Sequence, residues 1–234
     1  MNLDKATVLR LLADLRRKDR KRRVFGSAAH DYKLNPPIAA SVIEEFETQH
    51  GITLPEDYRF FVMEIGNGGA GPYYGLFPFG QHDGSLGLRS WEHGDLLGDV
   101  SQPFPHVEAW NLPKSFCDQV PNIPPDLPVD EEQRRWDAWD QVEQEHYWNP
   151  SIMNGAIPIC HIGCALRQWL VVNGEQKGFV WNDYRADCGG VLPVVDEAGR
   201  QVSFSGWYMS WLEEAHREAS MGRRLLHAVR DFFK

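Results

Sequence analysis

The segment Gly51-Ile-Thr-Leu-Pro-Glu-Asp-Tyr-Arg-Phe-Phe-Val-Met-Glu-Ile-Gly-Asn-Gly-Gly69, with Gly75-Leu-Phe-Pro-Phe-Gly80 shortly after it, reads as a helix closed by a glycine-rich turn. Pro55 suits a first helical position, where the missing N–H has no partner to lose, and Glu56 and Asp57 place carboxylates at the positive end of the helix dipole. Tyr58, Phe61, Val62 and Ile65 recur at i, i+3, i+4 and i+7, which makes one apolar face and marks Tyr58 and Phe61 as core. Gly66-Asn67-Gly68-Gly69 supplies residues that tolerate a left-handed C-terminal cap. Nothing in this segment can do chemistry.

Upstream, Ile38, Val42, Ile43 and Phe46 repeat at helical spacing and Gly51 ends that run, so the two helices form a hairpin. Downstream, Pro72 to Ser90 reads as loops and short strands. Residues 157–162, 168–173 and 178–182 are strand-like, the last two joined by the Gly-containing loop Asn173–Gly178. Residues 191–195 and 201–204 extend the sheet. Ser205 can cap a helix with Trp207, Trp211 and Ala215 on its apolar face, Trp207 as core, and a last amphipathic piece runs from Leu225 to Phe233. Helices first, strands later and hairpin connections predict an α+β fold with a twisted, mainly antiparallel sheet packed against helices.

The motif Leu54-Pro-Glu-Asp-Tyr-Arg59 with Asn67-Gly-Gly69 and Gly75–Gly80 resembles a signature of the SUKH superfamily, which includes the Smi/Knr cell-wall assembly regulators and many bacterial immunity proteins. The C-terminal half is similar to the same superfamily through Gly163, Leu170-Val-Val-Asn-Gly174, Gly178-Phe-Val-Trp181 and Ser203-Phe-Ser-Gly-Trp207 with Trp211-Leu212. The likeness covers roughly residues 38–215. It implies the SUKH-type α+β domain and a protein-binding role, most simply that of an immunity protein that neutralises a cognate polymorphic toxin. A regulatory scaffold of the Smi/Knr type is the alternative.

Residues 1–37, read as a basic helix and an irregular arm, fall outside the likeness, as does the C-terminal helical piece, 216–234. A segment at about 99–150 interrupts it. Seven prolines between Pro103 and Pro128 forbid long regular elements there, and Asp130–Tyr147 then reads as an acidic helix or loop, expected to be surface decoration. Trp136 and Trp139 are three apart, so a helix presents both indoles on one side among Asp137, Asp140 and Glu143. With Asp183 and Asp187 after the third strand, these are the candidate partner-binding residues. For Asp183 and Asp187 the competing reading is a solvated Asx-type turn, and Trp91, His93 and Asp95 are read the same way.

Charge supports a cationic protein partner. The chain carries −9 overall. Residues 1–23 hold nine Lys/Arg against three Asp/Glu, leaving 15 basic and 30 acidic residues beyond them, a balance of −15. So acidic a body repels nucleic acid and attracts basic surfaces such as a nuclease active site. The N-terminal helix reads as an amphipathic docking helix, with nucleic-acid or membrane-surface attachment as its rival. No apolar run is long enough to span a membrane, the charged N-terminus lacks a secretory pattern, and four cysteines do not make a disulfide scaffold, so the expected location is cytoplasmic.

The chain has no nucleophile elbow, Walker loop, dinucleotide fingerprint or His-Glu-x-x-His helix, so it is expected not to be an enzyme and to need no cofactor. The best chemical set is Cys160-His161 with Cys164 and Cys188, a zinc-type donor group that would suit a metal-dependent hydrolase. Against it, Cys160 and His161 on a strand point to opposite faces, and Cys160 lies where cysteine packs as a small hydrophobe.

Overall fold

A computed structural model describes residues 3–82, 85–88 and 97–232 of the chain. Trp91, His93, Asp95 and Phe233 lie outside the described residues. The elements in order are α1 (Lys5–Lys18), α2 (Ser27–His30), α3 (Ala40–His50), α4 (Glu56–Phe60), β1 (Phe79–His82), β2 (Ser85–Leu88), α5 (Lys114–Cys117), α6 (Val129–His146), β3 (Ala156–Gly163), β4 (Leu166–Val171), β5 (Val180–Asp183), β6 (Val191–Pro193) and α7 (Phe204–Phe232). Strands β3-β4-β5-β6 form one antiparallel sheet in sequence order, and β1 and β2 form a separate hairpin. The α+β fold is as the sequence indicates.

The signature helix buries Tyr58, Phe61, Val62 and Ile65, but it does not end as its glycines suggest. Beyond α4 the chain widens into a π-helical turn over Phe61–Ile65, closed by Gly66 N–H donating to Phe61 O at 2.9 Å, and Gly66 itself is extended. The glycines that follow serve close approach. A Cβ on Gly68 would lie 2.7 Å from Pro78 N, and one on Gly69 would lie 2.5 Å from Lys33 O. Just before them, buried Asn67 pairs with the Phe79 backbone through both ends of its amide, accepting from Phe79 N–H at 2.7 Å and donating to Phe79 O. Isolated bridges Leu34–Gly69, Gly69–Leu76 and Leu76–Cys160 carry this turn onto the free edge of β3.

Helix α7 docks against the signature helix. Asp57 accepts the Ser205 N–H at 2.8 Å and so helps cap α7, while Phe204 packs edge-on to Tyr58 and Phe61 at 5.0 and 5.3 Å. Tyr208 donates to Ala70 O at 3.0 Å. The cap expected from Ser205 is made by Ser203, whose hydroxyl accepts from Gly206 N–H and whose carbonyl accepts from Trp207 N–H. Residues 201–204 make only the bridges Val195–Gln201 and Phe179–Ser203, and the C-terminal piece is the continuous end of α7. Helix α1, capped by the Asp4 carboxylate, buries Val8, Leu12 and Leu15 against this assembly, as an amphipathic docking helix does. Part of its basic tail is paired at home: Asp31 meets Arg16, Arg22 and Lys33, and hydrogen bonds from Lys33 and Arg22 hold its carboxyl well below the usual range.

The sheet is buried on both faces. Ile157, Ile159, Leu170, Val172 and Val180 join the helical core, whereas Trp169, Val171, Trp181 and Val191 join a second core with Phe104, Ile152 and Met153. Alternation along β4 and β5 assigns these sets to opposite faces. The segment at 99–150 is therefore a structural layer, which corrects its reading as decoration. Trp110 extends β6 by a bridge to Val191, and Phe104 stands edge-on to Trp181 at 5.0 Å.

This layer is fastened by an internal ion pair. Arg185 and Asp183 are each 1 % exposed, and Arg185 Nε and Nη2 donate to the two Asp183 oxygens at 2.8 Å each. The remaining Nη1 donates to Tyr147 O at 2.8 Å, and the guanidinium lies over the Trp148 ring at 4.8 Å. Tyr147 accepts from Gly190 N–H and donates to Asn111, so the end of α6 is joined to the β5–β6 connection from several sides.

Three outcomes follow from this packing. Phe61→Ala removes a fully buried ring and should destabilise the fold by about 3–5 kcal/mol in urea titration. Asp183→Asn leaves Arg185 buried without its counter-charge and should cost a similar ~3–5 kcal/mol, whereas a paired Asp183→Leu, Arg185→Met variant should recover much of that loss. The third outcome concerns pH. Burial pushes the His30 imidazole down to about 4, and burial also lowers His106 and His216. The unfolded chain takes up these protons first, at about pH 6.5, so stability is complete above that value and falls as pH drops toward 4. The urea midpoint should therefore decrease from pH 7 to pH 5, and less steeply in His30→Gln.

Candidate functional site

On α6 the positions Trp136, Trp139, Glu143 and Tyr147 follow helical spacing and form the docked stripe. Trp139 is 8 % exposed and packs on Phe116 with ring centroids 5.2 Å apart; Phe116 also meets Tyr147 at 5.7 Å. The two indoles do share a side of the helix, as their spacing requires, but that side faces the protein. Trp136 keeps partial exposure, and Trp139 is a packing residue. Glu143 is half-buried on the same stripe, and burial raises its carboxyl above the ordinary range.

The outward face of α6 is acidic. Asp137 and Glu145 are exposed there, and Asp140, also exposed, flanks the docked stripe beside Glu143. Asp137 accepts from Gln133 at 2.7 Å and Glu145 from Gln141 at 3.2 Å, contacts that leave their charge intact. Arg134 and Arg135 are engaged at the start of the helix by Asp130 and Glu131, so positive charge is confined to the first turns. Asp130, Glu131 and Glu132 also sit at the positive end of the helix dipole, which favours ordering of an 18-residue helix with low intrinsic apolarity.

The β5–β6 connection lies beside this helix. Asp187 is exposed on the short 3-10 turn Arg185–Asp187. Asp183 is not: its charge is consumed by Arg185. The backbone N–H of Arg185 also donates to Asp183 Oδ1 at 3.2 Å, so the Asx-type turn exists, but it is buried and not solvated. Asp183 therefore leaves the surface candidates and becomes the residue that holds the layer bearing the others. Its signal in sequence was Arg185, two residues on at a strand end.

The cysteines are dispersed. Cys188 is disulfide-bonded to Cys117 of α5, with Cα atoms 6.3 Å apart and a sequence separation of 71, which corrects its place in a thiolate donor set and adds a covalent tie between the insertion and the β5–β6 turn. Cys160 is buried in the helical core; its thiol donates to Pro72 O at 3.1 Å, and burial drives its pKa sharply upward. His161, the next residue, lies against Tyr74 with ring centroids 5.3 Å apart. Cys164 is exposed in the β3–β4 turn. Among the described residues no three His, Cys, Asp or Glu side chains converge as a metal site.

A second feature lay outside the sequence reading. Phe25 is 59 % exposed and Tyr74 45 % exposed, and they meet edge-on at 5.6 Å beside Tyr73. Next to them a cleft of about 370 Å³ opens between α7 and β4. Trp207 and Trp211 signalled this helix face in the sequence, where both were assigned to its apolar side; the structure makes them also the wall of a cleft.

No helix among the described residues is long and apolar enough to cross a membrane. Neither a curated protein nor a solved structure gives a match to this chain. One family profile does match, over residues 37–196, which takes in the signature helix, the turn onto β3, the whole insertion and all four strands of the sheet. The match covers more than half of the chain and sets it among immunity-like or Smi/Knr-type domains: the chain belongs to the SMI1 / KNR4 family (SUKH-1).

Proposed function

We propose that this chain is a non-enzymatic binding protein of the immunity type, which needs no cofactor and neutralises a cationic toxin domain by docking on it. The observation that carries this reading is the outward face of α6. Asp137, Asp140 and Glu145 are exposed on a helix whose other side is fixed by Trp139 and Tyr147, so the negative charge is presented on a preorganised surface. Asp187 adds an exposed carboxylate on the β5–β6 connection, and partly exposed Trp136 supplies an apolar contact at the helix margin.

Charges held by a packed helix lose little side-chain and backbone freedom on docking, which favours affinity. Their summed field also attracts a basic partner before contact. A toxin acting on nucleic acid has a basic active site because its substrate is anionic, and a surface of this kind can cover it. The family description equally embraces Smi/Knr-type regulators, for which the same face would hold a resident cellular partner. The product of an adjacent gene separates the two, because an immunity protein binds a toxin domain encoded beside it.

The test uses the full chain and that neighbouring product. The association rate should fall as salt rises from about 0.1 M to 1 M, where the Debye length shrinks from ~10 Å to ~3 Å. An Asp137→Asn, Asp140→Asn, Glu145→Gln variant, which touches only exposed side chains, should associate several-fold more slowly at low salt with little change in melting temperature. Rates that ignore both salt and these substitutions would count against the reading.

A further inference from the structure

We infer that the cleft between α7 and β4 is an arginine-binding pocket, which receives a guanidinium from the partner protein. The inference rests on the binding role proposed above and names a contact that α6 does not make.

The walls are aromatic. Trp207 and Trp211 stand one turn apart on α7, and Phe25 and Tyr73 border the opposite side. The cleft's carbonyl and carboxylate groups are acceptors, beside the Ser210 and Tyr73 hydroxyls. Gln168 on β4 lines the cleft at 3 % exposure; its Nε2 donates to Asn182 Oδ1 at 3.0 Å, and its Oε1 is buried with no hydrogen-bond partner among the described residues. A buried carbonyl oxygen without a donor is costly, and a ligand N–H relieves that cost.

Glu214 and Glu218 line the mouth, four residues apart on α7. Like charges at this spacing repel on a helix. Burial, Glu214 and Asp19 together raise the Glu218 carboxyl. Lys18 borders the neighbouring groove with both glutamates, yet among the described residues neither glutamate has a cation within ion-pair distance.

Aromatic faces, one unused carbonyl and two carboxylates describe a receptor for a planar cation rich in N–H groups. Guanidinium fits better than ammonium, because it stacks on indole and offers five donors in one plane. The exposed Phe25–Tyr74 pair beside the opening gives the apolar surroundings that exclude water around a buried anchor.

The probe is capped arginine (N-acetyl-arginine amide), titrated into the full chain with the indole N–H signals of Trp207 and Trp211 followed by NMR. Capped citrulline, the neutral isostere, and capped lysine are the controls. Capped arginine should shift both signals with millimolar affinity, capped lysine should bind several-fold more weakly, and capped citrulline should not bind. A Glu214→Gln, Glu218→Gln variant, altered only at exposed positions, should weaken capped arginine about tenfold or more. Absence of arginine-specific shifts, or equal binding of citrulline, overturns the inference whether or not a toxin partner exists. With the neighbouring gene product as ligand, a partner that binds the wild type and the double glutamine variant equally overturns the inference but leaves the immunity reading standing. A neighbouring product that fails to bind the wild type contradicts the immunity reading, while the capped-arginine titration still decides the pocket.

Discussion

Two opposite charges sit at the end of β5 with no access to water, and the second half of the molecule is arranged around keeping them there. Removing a carboxylate and a guanidinium from solvent costs several kcal/mol per ion, which is recovered only when every donor and acceptor is met. Arg185 has an acceptor for each of its three side-chain nitrogens, Asp183 on one side and the Tyr147 carbonyl on the other, with Trp148 covering its face. The carbonyl and the ring both belong to the end of the insertion. An internal pair of this kind is a poor source of net stability but a selective one, because a misplaced α6 would strand a buried charge. The constraint therefore specifies where the acidic helix lies more than it strengthens the fold.

The same arrangement explains how a four-stranded sheet can be apolar on both faces. One face is covered by α1, α3, α4 and α7, locked through Asp57, Phe61 and Tyr208. The other has to be covered by residues 97–153, since Trp169 and Trp181 would otherwise face water. Once these residues are committed to the sheet, their outward side is free to vary in charge without disturbing the core. Residues on the outer side of such a layer are held by a scaffold while remaining separable from it.

Much of the fold was legible in sequence because its signals are local. The apolar spacing of Tyr58, Phe61, Val62 and Ile65, the alternation along 157–182 and the Asn173–Gly178 loop each depend on neighbours in the chain. The π-helical turn after Phe60 was not legible, since one apolar face is compatible with either hydrogen-bond pattern over a single turn. Nor were the contacts that decide the candidate site. Trp139 meets Phe116 across a proline-rich stretch, Cys117 meets Cys188 over 71 residues, and Tyr147 reaches Arg185 from a separate element. A tryptophan among carboxylates looks like an exposed anchor until its partner is known. An aspartate after a strand looks solvated for the same reason. The cleft beside Gln168 was hidden because Trp211 at i+4 from Trp207 is indistinguishable in sequence from a residue of the core.

The ties of Tyr147 to Arg185 and Gly190 predict that α6 opens as one cooperative unit with the sheet that carries it. Native-state hydrogen exchange on the free, full-length protein reports this at single amides. The second half of α6, approaching Tyr147, should exchange with protection close to that of β5 and lose it together with β5 as denaturant is added. Rapid exchange throughout α6 while β4 and β5 remain protected would show the helix to be a loosely attached appendage, and would contradict the rigid acidic face on which the account depends.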